Sequence, residues 1–154
     1  MAAPQGGSCV LLLSHRLCDT TLARHAALRR ELDGRMQVVL ALTEPLGRAA
    51  AGLGLPDCHV LGASDLFLPA HGEKSAGGRL LPGNPDLVTL AVRRARPGHS
   101  HYWYVEYDAW FSGGAAMLAE FDAATDADLV IPLRERTEQA VPTWAYWRSL
   151  RIPA

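Results

Sequence analysis

Glu106 and Asp108 stand two residues apart at the end of the run His101-Tyr102-Trp103-Tyr104-Val105-Glu106-Tyr107, and they are the side chains in this sequence best spaced for chemistry. The run is aromatic and β-branched, which favours a strand. Alternate residues of a strand share a face, so the two carboxylates are expected to point the same way with Cα atoms about 6.6 Å apart. Two acids together at the end of an apolar strand are costly to bury without a cation or donors. A hard divalent cation held jointly with a phosphate-bearing ligand would satisfy them. The competing reading is a strand whose last two acids are simply solvated in a loop.

Other polar groups close the remaining strands. Cys9-Val10-Leu11-Leu12-Leu13 is a continuous apolar run that ends in Ser14-His15-Arg16, and residues 36–42 form a second run that ends at Thr43-Glu44-Pro45. Runs without alternation suit strands buried on both faces of a parallel sheet. Ligands of such sheets bind beyond the carboxyl ends of the strands. Arg16 could fork onto phosphate oxygens, His15 could donate, and Glu44 could accept from a base or ribose. Each also has a plain reading: a surface Arg near a helix start, a structural His, an exposed Glu before Pro.

The elements between these strands read as helices. Asp19 or Thr20 can cap one carrying Leu22, Ala26, Arg29 and Leu32 at helical spacing, ended by Gly34. Residues 46–53 suggest a short Ala-rich helix, and Cys58-His59-Val60-Leu61 a weaker third strand. Residues 62–83 read as a long irregular loop. Asn84-Pro85-Asp86 is a helix start, with Leu87, Leu90, Ala91 and Ala95 as its buried face and Arg93, Arg94 and Arg96 at its end. Residues 113–124 read as a further helix and 128–132 as a further strand. Strands alternating with helices predict a single α/β domain, a three-layer sandwich around a mostly parallel, Rossmann-like sheet.

Composition narrows the function classes. The 154 residues are 49% hydrophobic and 20% charged, with net charge −1 and no basic stripe, so no nucleic-acid or anionic-membrane surface is expected. The run from Cys9 to Leu13 is too short to cross a bilayer, so no transmembrane segment is expected. Cys9, Cys18 and Cys58 make neither a disulfide framework nor a zinc motif, and a reducing cytoplasm is the default. His59, His71, His99 and His101 have no zinc-ligand spacing. Gly72-Glu73-Lys74-Ser75 lacks the Gly before Lys of a phosphate-binding loop, and Gly52-Leu53-Gly54 lacks the third glycine of a dinucleotide fingerprint.

The Glu-Tyr-Asp segment resembles the acidic metal-binding signature, Asp-any-Asp and its variants, of nucleotide-diphospho-sugar glycosyltransferases with the GT-A fold. The likeness covers roughly residues 9–135, with 102–113 and Leu81-Pro82-Gly83-Asn84 its most specific parts. It implies a nucleotide-diphosphate sugar donor, an unknown acceptor and a Mn²⁺ or Mg²⁺ ion. Asp108 would then be the direct metal ligand, and Glu106 would touch metal-bound water or the ribose. Ser14, His15, Arg16, Glu44 and Asn84 would border the donor. In the family the acceptor site and any catalytic base lie beyond the metal strand. Here that region looks short: residues 136–154 suggest an incomplete acceptor region, and Glu135 and Glu138, in a charged turn, are the only Glu candidates for a base after the last strand. Three hypotheses follow: a metal-dependent glycosyltransferase, a non-catalytic or truncated nucleotide-sugar or protein-binding module, and an unrelated Rossmann-like domain whose acids are solvated.

Overall fold

The computed structural model describes residues 6–66, 75–76, 79–80, 86–109 and 111–127. The expected strand at 128–132, Asn84, Glu135 and Glu138 lie outside the described residues.

Four strands form one parallel sheet. Strand β1 (Cys9–Ser14) pairs with β2 (Gln37–Thr43) on one side and with β6 (Tyr102–Glu106) on the other, and β2 pairs with β3 (Cys58–Leu61), giving the order β3-β2-β1-β6. The register sets Cys9 beside both Gln37 and Tyr102, and Leu13 beside Glu106. Val10, Leu12, Val38, Leu40, Leu42, Trp103 and Val105 point to one face. Cys9, Leu11, Leu13, Val39, Ala41 and Tyr102 point to the other. Both faces are packed, which is why β1 and β2 carry apolar residues without alternation.

Helices α1 (Asp19–Glu31), α2 (Glu44–Gly52) and α5 (Ala116–Ala124) cover the first face through Leu28, Ala50, Leu118 and Ala119, with Leu32 just beyond α1. Helix α4 (Asp86–Ala95) covers the second through Leu87, Val88, Ala91 and Val92. The predicted three-layer α/β sandwich is therefore the architecture found. The loop expected over 62–83 holds a short helix α3 (Ala63–Leu66) and two antiparallel two-residue strands, β4 (Ser75–Ala76) and β5 (Arg79–Leu80).

Two helix faces differ from the sequence reading. On α1 the buried side is Thr21, Arg24, His25 and Leu28, while Leu22 is half-buried and Ala26 exposed. The apolar residues did not mark this face because three polar side chains, Thr21, Arg24 and His25, occupy it. On α4 Val88 and Val92 are buried and Leu90 is partly exposed.

Polar ties join the layers. Asp122 on α5 accepts from the Ser8 hydroxyl at 2.7 Å and from the Trp103 indole N–H at 2.6 Å. Asp57, in a left-handed backbone conformation (φ 50°) that Asp tolerates, accepts from the Gln37 side-chain amide at 3.1 Å. It also lies 3.6 Å from the Arg29 guanidinium and 3.7 Å from that of Arg96. Gly47 on α2 lies so close to β3 that a Cβ there would fall 2.4 Å from Val60 Cγ1.

Candidate functional site

The chain leaves β1 for α1 on one face of the sheet, and it enters β6 from α4 on the other. The carboxyl ends of β1 and β6 therefore flank a topological switch point, the crevice where open α/β sheets take ligands. Two stretches border it: residues 15–18 after β1, and residues 107–109 and 111–115 after β6.

The two loops touch. The Tyr107 N–H donates to the Leu13 carbonyl at 3.1 Å, continuing the β1–β6 ladder by one step. The rings of His15 and Tyr107 meet edge to face, with centroids 5.0 Å apart at 86°. Strand β6 ends at Glu106, and the Ala109 N–H donates back to the Glu106 carbonyl at 3.0 Å, leaving Tyr107 and Asp108 at the tip of a turn. Asp108 is thus a turn residue and not the next step of the strand, so face alternation by itself does not place it.

Tyr104 shares the acidic end of β6. Its hydroxyl donates to Glu106 Oε1 at 3.4 Å. Burial and the charges of Glu106 and Asp108 together raise its pKa well above the ordinary phenol value. Both carboxylates are therefore within electrostatic reach of one hydroxyl, and both side chains are exposed.

Ser14 has a different place from the one expected. It is buried, faces α1, donates to the Arg16 carbonyl at 2.6 Å and accepts from the Arg16 N–H at 3.1 Å. Thr21, also buried, donates to the same Arg16 carbonyl at 3.1 Å. The Ser14 hydroxyl is consumed in shaping the turn that presents His15 and Arg16, both exposed, beside the acidic turn. Glu44 opens α2 at the carboxyl end of β2, so its backbone lies on the same edge of the sheet. Neither Asp19 nor Thr20 caps α1; the N-cap residue is Cys18, exposed, with Sγ 3.6 Å from Thr21 Oγ1 and a pKa lowered by the Thr21 and Thr20 donors.

The sequence reading missed Arg24 and Glu31, both on α1. Arg24, 6% exposed as a residue, donates from its guanidinium to the Ala109 carbonyl and lies over the Phe111 ring at 5.6 Å. Glu31 Oε2 accepts from the Ala115 N–H at 2.6 Å, which satisfies a free donor at the start of α5. The available signal was the charge itself: Arg24 and Glu31 lie seven residues apart, two helical turns, and hence on one side of α1.

Could a divalent ion sit here? Mg²⁺-like ions favour six oxygens, commonly one or two carboxylates with substrate phosphates and water. Glu106 and Asp108 are hard oxygen donors on an open turn and fit that partial donor set. Among the described residues no group of three or more His, Cys, Asp or Glu side chains is placed to hold a metal by itself.

Fold and site together define a small parallel α/β domain with an acidic turn at its switch point. Comparison with protein-family models, curated proteins and solved structures gives no match to this chain.

Proposed function

We propose that this protein binds a nucleotide-diphosphate sugar at the carboxyl edge of its sheet and, with Mn²⁺ or Mg²⁺, transfers the sugar to an acceptor, as a GT-A-like glycosyltransferase does. The observation that carries the reading is the position of Glu106 and Asp108 on the turn beside the β1–β6 crevice. A divalent ion, when bound, neutralises the diphosphate leaving group. Asp108 and Glu106 hold that ion. Arg16 pairs with phosphate oxygens, His15 and Tyr107 wall the crevice, and Glu44 and Asn84 stand as candidates from the sequence for contact with the nucleoside. Glu135 and Glu138 stand as candidates for the base. A reducing cytoplasm belongs to the same reading. No described helix is long and apolar enough to cross a membrane.

Thermal unfolding with Mn²⁺ and UDP or GDP tests binding. A ligand at a hundred times its Kd stabilises the native state by about 2.7 kcal/mol, which raises Tm by about 5–10 °C in a domain of this size. Asp108→Ala should abolish the Mn²⁺-dependent part of that rise and leave the ligand-free Tm within about 2 °C, since the side chain is exposed. No rise with any nucleotide diphosphate would end the proposal. A donor-sugar hydrolysis assay then separates a transferase from a module that binds without turnover.

A further inference from the structure

We propose that Arg24 is a positioning residue for the acidic turn, setting the place of Asp108 from helix α1 through the carbonyl of Ala109. The role rests on the nucleotide-binding reading of that turn given above. Its geometric basis is the way Asp108 is bracketed. On one side, Tyr107 is tied to Leu13 through its N–H at 3.1 Å and to His15 through its ring. On the other, Ala109 is held twice: its N–H donates to Glu106 at 3.0 Å, and its carbonyl accepts from Arg24 Nη2. Asp108 is the residue between these two fixed points.

A buried guanidinium is an expensive way to fill the sheet-facing side of a helix. A leucine would pack there as Leu28 does one turn further on. A leucine, however, could not hold a carbonyl in a chosen direction. The guanidinium is planar and carries its donors in a fixed fork, so binding a carbonyl with one edge while lying over Phe111 fixes the loop in position and orientation. Burial lowers the Arg24 pKa and the charge of nearby Glu31 raises it, so the cation is partly compensated by the residue that caps Ala115. Helix α1 therefore grips the chain at Ala109 and again at Ala115, with a cation at a carbonyl and an anion at an N–H.

The test measures Mn²⁺ affinity by electron paramagnetic resonance at saturating UDP. The variants are Arg24→Met, Arg24→Lys and Phe111→Leu, with Gly47→Ala as a destabilised control packed on β3, at the opposite end of the sheet from the β6 turn. The expected result is Mn²⁺ binding weakened at least tenfold in Arg24→Met, partial rescue in Arg24→Lys, an intermediate loss in Phe111→Leu and wild-type affinity in Gly47→Ala. Should Arg24→Met fail to fold, Arg24→Lys and Phe111→Leu carry the test. Equal affinity in wild type and the Arg24 and Phe111 variants overturns the positioning role while leaving the nucleotide reading intact. Equal weakening in Gly47→Ala also overturns it, because a loss of general stability then explains the effect. No Mn²⁺ binding by the wild type overturns the nucleotide reading and the metal-positioning role with it. Amide exchange separates this case from a failure of the clamp, since Arg24→Met should still accelerate exchange at Ala109 and Ala115 selectively.

Discussion

At the scale of single residues, the Tyr104 phenol is a built-in probe of the two acids. Its proton is retained because burial and two anions disfavour the phenolate. Glu106→Gln should lower the Tyr104 pKa, and Asp108→Asn should lower it less, since Glu106 also accepts the hydroxyl. Saturating Mg²⁺ with a nucleotide diphosphate should lower it as well, because a cation at the same carboxylates offsets their charge. Ultraviolet difference titration of wild type and variants reads all three; a Tyr104 transition unmoved by Glu106→Gln would sever the link between this hydroxyl and the acids. His25 gives a second titration. It is buried against β2, and its Nε2 has no hydrogen-bond partner among the described residues. Burial and the Arg29 charge lower its pKa, while Asp57 and the Val38 backbone pull it back. The unfolded chain therefore takes up the proton before the native protein does, and stability falls as pH drops through and below the ordinary His value near 6.5. His25→Leu should flatten the dependence of unfolding free energy on pH between 7 and 5, as measured by urea titration; His59, lowered by burial too, leaves a residual slope. That β6 ends in an acid, Glu106, was legible from residue type; the place of Asp108 was not, because the chain turns after Glu106 instead of continuing the strand. Arg24 was not, because apolar periodicity assigns charged residues to the wet side of a helix and this one is buried.

At the scale of elements, the approach of α2 to β3 is set by a missing side chain. Helix propensity alone predicts that Gly47→Ala stabilises α2 by about 1 kcal/mol. The new Cβ would fall 2.4 Å from Val60 Cγ1, and a β-branched side chain has little freedom to yield. Gly47→Ala should therefore destabilise the protein, by about 1–3 kcal/mol. Adding Val60→Ala should recover most of that loss, and chemical denaturation of the two variants checks the pair. A single variant more stable than wild type would show that α2 can move away. Strands β1, β2, β3 and β6 and helix α4 were legible because continuous apolar runs and a strong helix start are local signals. The start of α5 was placed too early. The chain turns at Phe111–Gly114, where Gly114 has φ +82°, and the helix begins only at Ala116, after Glu31 has capped Ala115. That cap comes from a residue far off in sequence, so no local pattern announces it.

At the scale of the whole molecule, the sequence predicts the layers but not the order of strands. Alternating strands and helices are enough for a parallel sheet covered on both sides. That β6 returns to lie beside β1 depends on pairing between distant segments, and this pairing creates the crevice. The same arrangement governs how the protein assembles in time. The pairing of Cys9 with Gln37 closes a short stretch of chain, whereas that of Cys9 with Tyr102 closes a far longer one at greater entropic cost. Leu40→Ala, in β2, should slow folding, while Val105→Ala, in β6, should act chiefly on the unfolding rate, as stopped-flow kinetics can read. By that cost the β1–β6 crevice is expected to close last and open first, and a nucleotide bound there as proposed would act as a brake on unfolding.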